Sequence, residues 1–145
     1  MTKIINWKTK ETIIEDQNLS IKELVEKAVK DRISLAYADF MCQNLQNVDF
    51  SGADLEGANF CGAHLRDAKF CLCNLKSAKF RDADLSYSYL GGANLRGADF
   101  TGAILIGLVI DKDQESDLLK TLGVRCTMIE PYNNHKLGYN CISTI

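Results

Sequence analysis

Residues 53–62 read Ala53-Asp54-Leu55-Glu56-Gly57-Ala58-Asn59-Phe60-Cys61-Gly62. These are two quintets with one layout: a small residue, a short polar one, a bulky apolar one, a variable one and a glycine. The layout extends in both directions. Every fifth residue is Leu or Phe over fifteen positions: Leu35, Phe40, Leu45, Phe50, Leu55, Phe60, Leu65, Phe70, Leu75, Phe80, Leu85, Leu90, Leu95, Phe100 and Leu105, and Ile110 carries the beat on. Two residues before each centre the chain is mostly Ala, with Ile33, Gln43, Val48, Cys73 and Ser88 as exceptions. Just before each centre it is mostly Asp or Asn, as at Asp39, Asn44, Asp84 and Asp99, and Gly is frequent two after it.

A beat of five suits neither a helix face, which needs 3.6, nor a strand face, which needs 2. Fixed self-similarity over many short units marks a repeat architecture in which each unit buries its apolar side against the next. The quintets Ala53-Asp54-Leu55-Glu56-Gly57 and Ala93-Asn94-Leu95-Arg96-Gly97 resemble the motif of the pentapeptide-repeat family. That resemblance covers about half of the chain and implies an all-β solenoid: a right-handed quadrilateral β-helix of about four coils, one quintet to a side. It also implies that each centre and the small residue two before it point inward, so the fifteen Leu and Phe positions are the expected core. A narrow column has room for one large and one small group per side, which agrees with Leu or Phe alternating with Ala. A twenty-residue coil would set Phe40, Phe60, Phe80 and Phe100 in one internal column. At a strand spacing of about 4.8 Å the column would stand roughly 19 Å tall.

The 145 residues suit one domain, and 25% charged with 46% hydrophobic residues suits a globular chain. A net charge of −2 points to neither a nucleic-acid binder nor a polyanion. The first residues lack a sustained apolar core, and the run Ala103 to Ile110 is too short for a membrane span. The expectation is a cytoplasmic chain with no membrane contact.

Three parts follow one another: a hairpin and capping helix over 1–32, the repeats over 33–110, and a helix and hairpin cap over 111–145. Lys3–Trp7 and Glu11–Glu15 read as short strands. Similar hairpins precede the repeats of some phage and prophage family members, with Gly in the turn where this chain has Lys10. Ser20 as N-cap, Glu23 three residues on and Leu19 against Leu24 mark a helix start. Ile21, Leu24, Val25, Ala28 and Val29 form its apolar stripe. Gln43, a large polar residue at an inward position, is expected to satisfy open backbone groups. Ile104, Ile106 and Val109 are apolar at outward positions and need a cover. A helix from Asp111 or Asp113 to about Leu122 is expected to pack over the last coil or to join a homodimer contact there. Val124–Glu130 and Leu137–Ser143 read as strands about Asn133-Asn134, which sets Cys126 opposite Cys141, both reduced in a cytosolic chain.

No nucleophile motif, phosphate loop or metal-ligand spacing is present. Cys61, His64, Cys71 and Cys73 match no zinc finger or ribbon, and consecutive quintets would point to different sides. No cofactor and no metal are expected, and a filled column offers an enzyme no cleft. The expected role is non-catalytic: a bacterial or phage protein that engages a host protein through flat walls, without direct nucleic-acid binding. Tyr87, Tyr89 and Lys69 are the candidate partner surface, with Trp7 and Tyr132 as further candidates. The competing reading of the two tyrosines is packing beneath the C-terminal helix. A second function follows from the resemblance, since some family members mimic a DNA duplex and bind DNA gyrase. Here eight acids and six bases interleave between residues 34 and 110, without the long negative face such a mimic presents.

Overall fold

The structure, a computed structural model, describes residues 1–111 and 114, together with the backbone of 125–132 and 136–142. Parallel bridges join Asp39 to Asn59, Asn44 to His64, Asp49 to Lys69 and Asp54 to Asn74, and the same step of twenty repeats up to Tyr89 and Val109. Twenty residues therefore make one coil, and four quintets make its four walls. The first wall is centred on Phe40, Phe60, Phe80 and Phe100, the second on Leu45, Leu65, Leu85 and Leu105, the third on Phe50, Phe70, Leu90 and Ile110, and the fourth on Leu35, Leu55, Leu75 and Leu95. All of these centres are buried.

The core is a stack of rings. Phe40, Phe60, Phe80 and Phe100 lie face to face with centroids 4.9 to 5.0 Å apart, and Phe50 and Phe70 do the same across the tube at 4.9 Å. Rings of the two columns meet edge to face at 5.6 to 5.8 Å. The stack repeats at the strand spacing because each ring rides on its own coil. Offset stacks and edge-to-face pairs each add about 0.5–1.5 kcal/mol beyond area burial. The small inward positions fill what the rings leave. Cys73 fits there as a buried thiol donating to Phe50 O at 3.0 Å. Burial is the main reason that thiol is pushed up to about 12. Ser88 fits less well, since its buried Oγ has no hydrogen-bond partner. Gln43 departs from expectation: it is exposed, so its side chain does not serve the core.

Each corner is closed twice. The residue two before a centre donates its N–H to the preceding centre, as in Ala58 N to Leu55 O at 3.0 Å. The Asp or Asn before the centre accepts the N–H two residues on: Asp49 takes Ser51 N at 2.9 Å, Asp84 takes Ser86 N at 3.0 Å and Asp99 takes Thr101 N at 3.0 Å. These are Asx turns. The next corner residue has positive φ even where it is not glycine, as at Tyr37 (58°), Cys42 (57°), Leu72 (60°) and Tyr87 (59°).

Below the coils, β1 (Thr2–Ile5) and β2 (Thr12–Asp16) form an antiparallel hairpin. The register breaks at Ile4/Ile5. Asn6 and Trp7, expected in the first strand, are instead turned onto the first coil. Asn6 bridges Ala38, Asp39 N–H donates to Ile5 O at 2.8 Å, and Trp7 N–H donates to Tyr37 O at 2.9 Å. Lys10 adopts φ 66° in the turn, the left-handed region that favours glycine. Helix α1 (Ile21–Lys30) begins with a full capping box: Ser20 Oγ accepts Glu23 N–H and Glu23 Oε2 accepts Ser20 N–H. The Ser20 hydroxyl, then its amide, hold the Glu23 carboxyl below its ordinary value. Leu24, Val25 and Ala28 are buried under the first coil, with Leu19, Ile21 and Val29 packed beside them. A hydrophobic plug is thus fitted to a tube whose end would otherwise expose its rings.

Above the coils, β3 (Leu105–Asp111) is the last turn of the solenoid. β5 (Lys136–Ile142) pairs with it antiparallel, and β4 (Arg125–Tyr132) pairs with the far side of β5. The C-terminal hairpin therefore extends the last coil as a sheet. Cys126 and Cys141 are register partners, while their side chains lie outside the described residues. So does the helix expected from Asp111 or Asp113 to about Leu122. Within the described set, Gln114 Nε2 donates to Leu90 O and Ala93 O, closing the last third-wall corner.

Candidate functional site

The tube has no room for chemistry inside it, so any site lies on its outside. Most outward carboxylates and amides are engaged in the corner turns described above, and others sit in cross-coil contacts. Glu56 pairs with Lys76 at 3.3 Å, and Asn74 Nδ2 donates to Asp54 Oδ1 at 3.0 Å. Among the described residues, no group of three or more His, Cys, Asp or Glu could hold a metal ion. Cys61, His64, Cys71 and Cys73 sit on four different walls, and Cys73 faces the core.

The corner between the second and third walls differs from the others. Tyr87 occupies it with φ 59° and remains 44% exposed. Its ring lies against Gly107 one coil above, where any Cβ would collide with it. Arg66, one coil below, places its guanidinium 4.9 Å from the ring centroid, the geometry of a cation–π contact. Arg66 Nε also lies 3.7 Å from Asp67. On the third wall, Lys69 and Tyr89 are bridge partners in one column, Lys69 exposed and Tyr89 half-buried. On the second wall, Ile104 and Ile106 are each 47% exposed beside Tyr87, whose N–H donates to Ile106 O at 2.8 Å. Val109, grouped with them in the sequence as an outward apolar residue, is buried.

Trp7 is spent elsewhere. Its Nε1 donates to Gly57 O at 2.8 Å, its ring meets Tyr37 edge-on at 6.2 Å, and Lys79 Nζ sits 3.9 Å from its centroid. It fastens the hairpin to the coil. Tyr132 has its side chain outside the described residues. Sequence reasoning left Arg66 among the six interleaved bases. Its signal was the spacing: Arg66 precedes Tyr87 by twenty-one residues, one coil plus one.

A family model for pentapeptide repeats (8 copies) matches residues 38–76 and 78–108. A Nostoc pentapeptide repeat protein of solved structure is 34% identical, with 73% of this chain and 96% of that one covered at a TM-score of 0.41. The chain belongs to the pentapeptide-repeat family. Family membership implies a right-handed quadrilateral β-helix. The chain is also similar to a pentapeptide repeat protein of the Arabidopsis thaliana thylakoid lumen, at 28% identity and TM-score 0.51, over 62% of this chain and 66% of that one. It spans just under two thirds of that protein's length. QnrB1, a plasmid-mediated fluoroquinolone resistance protein, matches at 23% identity and TM-score 0.31, over 59% of this chain and 43% of that one; this likeness carries no argument. No curated protein matches. No helix among the described residues is long and apolar enough to cross a membrane.

Proposed function

We propose that this pentapeptide-repeat protein is a non-catalytic binding module that engages another protein through the corner built from Tyr87, Tyr89 and Lys69. The observation that carries the reading is the exposed Tyr87 ring, held between Arg66 and Gly107 with Ile104 and Ile106 beside it. Tyr and Arg are the residues that dominate protein–protein hot spots, and they do so when held rigid beside apolar surface. Members of this family are generally structural or binding proteins, which agrees with the reading. The partner is a bacterial host protein met in the cytoplasm, and the chain modulates it by occupying a surface. A second copy contacting the C-terminal cap is part of the same proposal, and light scattering across a concentration series reads it directly.

The test is affinity capture from host lysate with the wild type and with Tyr87→Ala and Tyr89→Ala, each checked for native circular dichroism. A captured protein that both variants lose supports the corner; an unchanged set of captured proteins removes it. The duplex-mimic reading has less support from the walls. The first-wall column runs Asp39, Asn59, Lys79, Asp99, and Arg81 lies 3.9 Å from Asp99. Such a wall is mixed in sign where a phosphate-like stripe is needed. Inhibition of gyrase supercoiling by the purified protein would reverse that ranking.

A further inference from the structure

Cys42 sits at the corner after Phe40, with φ 57° and an exposed thiol; Cys61, half-exposed, lies on the first wall one coil above. Cys42 N–H donates to Cys61 O at 2.9 Å. Through that bond, standard backbone lengths hold the two Cα atoms no farther apart than about 7 Å, the outer limit for a disulfide. The Cys42 thiol lies over the backbone of the next coil, with Sγ 3.9 Å from Cys61 O. It can do so because residue 62 is glycine: a Cβ there would come within 3.1 Å of that sulfur. Of the other described thiols, Cys73 is buried and bonded to Phe50 O, and Cys71 stands on the third wall.

We propose that Cys42 and Cys61 form a reversible dithiol–disulfide site, oxidised by glutathione disulfide, that staples the first coil to the second. The exposed Cys42 thiolate attacks one sulfur of glutathione disulfide, giving a mixed disulfide and releasing one glutathione thiolate. The Cys61 thiolate then attacks the Cys42 sulfur, closing the Cys42–Cys61 bond and releasing the second glutathione. The two cysteine protons end on the two glutathione thiols, and two electrons pass from the protein to the oxidant.

The sequence makes the test direct. No Lys or Arg lies between Ile33 and Arg66, so trypsin leaves both cysteines in one peptide, separate from Cys71, Cys73, Cys126 and Cys141. The full chain is incubated with excess glutathione disulfide, alkylated, digested and weighed without reductant. The expected 33–66 peptide has lost two hydrogens and carries no alkyl group. Dithiothreitol should restore two alkylatable thiols, and Cys42→Ser should abolish the loss. A peptide that carries glutathione on either cysteine, or two alkyl groups after treatment, overturns the proposal.

Discussion

Adding a methyl group at Gly57 should destabilise the protein about twice as much as adding one at Gly52. Both are corner glycines with positive φ, 64° and 78°. An alanine at either must adopt the left-handed region, at about 1–2 kcal/mol. At Gly52 nothing lies within 4 Å of the new Cβ, so that cost stands alone. At Gly57 the Cβ would lie 2.6 Å from Tyr37 Cδ1 and closer still to Cε1. The Tyr37 ring must move, and it is not free to. It meets Trp7 edge-on at 6.2 Å and carries Lys8 Nζ 4.3 Å from its centroid, while Trp7 Nε1 is bonded to Gly57 O itself. Losing the ring pair costs about 1 kcal/mol, and the exposed cation–π contact and the hydrogen bond together cost roughly another 1 kcal/mol.

Gly57→Ala should therefore cost about 3–4 kcal/mol against about 1–2 for Gly52→Ala. In thermal unfolding that is a drop of roughly 10 °C against roughly 5 °C. Urea titration of both variants, with Tyr37→Ala and the Tyr37→Ala/Gly57→Ala double variant, separates strain from collision. The double variant should cost at least about 1 kcal/mol less than the sum of the singles. Equal losses at Gly52 and Gly57, or strict additivity in the cycle, would refute the account of the corners as a side chain laid over a glycine.

Four further outcomes can be measured. Ser88→Ala should stabilise the protein by about 1 kcal/mol in urea, because it removes a buried hydroxyl that bonds to nothing. Cys42 should react with a maleimide in the native state while Cys73 waits for unfolding. Since burial raises the Cys73 pKa from 9.0 to about 12, its contribution to stability is complete below pH 9 and is lost as pH rises toward 12. Cys73→Ala should flatten that part of the pH–stability curve. The Asp99 carboxyl is held below its ordinary 3.8, chiefly by the Thr101 hydroxyl, with Arg81 and Lys79 nearby. Its contribution is present above that pH and is lost on acidification through the lowered value, so wild type should lose more stability than Asp99→Asn between pH 6 and pH 2.

The coil was legible because its cause is local and periodic: a bulky group every fifth residue can only be buried if the chain turns every fifth residue. The α1 start was legible for the same reason, since Ser20 and Glu23 satisfy each other within one turn. What the sequence hid depends on contacts between distant segments. Nothing near Trp7 shows that Gly57 O, fifty residues on, will accept its indole N–H. The Asp and Asn residues just before the centres show no role in the sequence, whereas each closes a corner by accepting an N–H two residues ahead. That bond is invisible until the turn is built. Gln43 turns outward although Ala38 and Val48, at the same slot of the first coil, are buried. The candidate corner was half legible: Tyr87 and Tyr89 stood out, but Arg66 joins them only once the twenty-residue coil stacks residue 66 beside residue 87.

The same turn chemistry gives a way to read function from a repeat. Where the position before the centre is Asp or Asn, the fold itself explains the residue. From Asp39 to Asp99 that position breaks the rule at His64, Lys69, Lys79 and Tyr89, giving up the Asx bond and the roughly 1 kcal/mol it contributes. Lys79 has a structural reason, because it lies beneath Trp7 and helps seat the hairpin. The other three stand on the two walls that meet at Tyr87, with Lys69 and Tyr89 stacked in one column and His64 beside Arg66. Three departures from a strict repeat, gathered at one corner, support the proposal that a partner binds there.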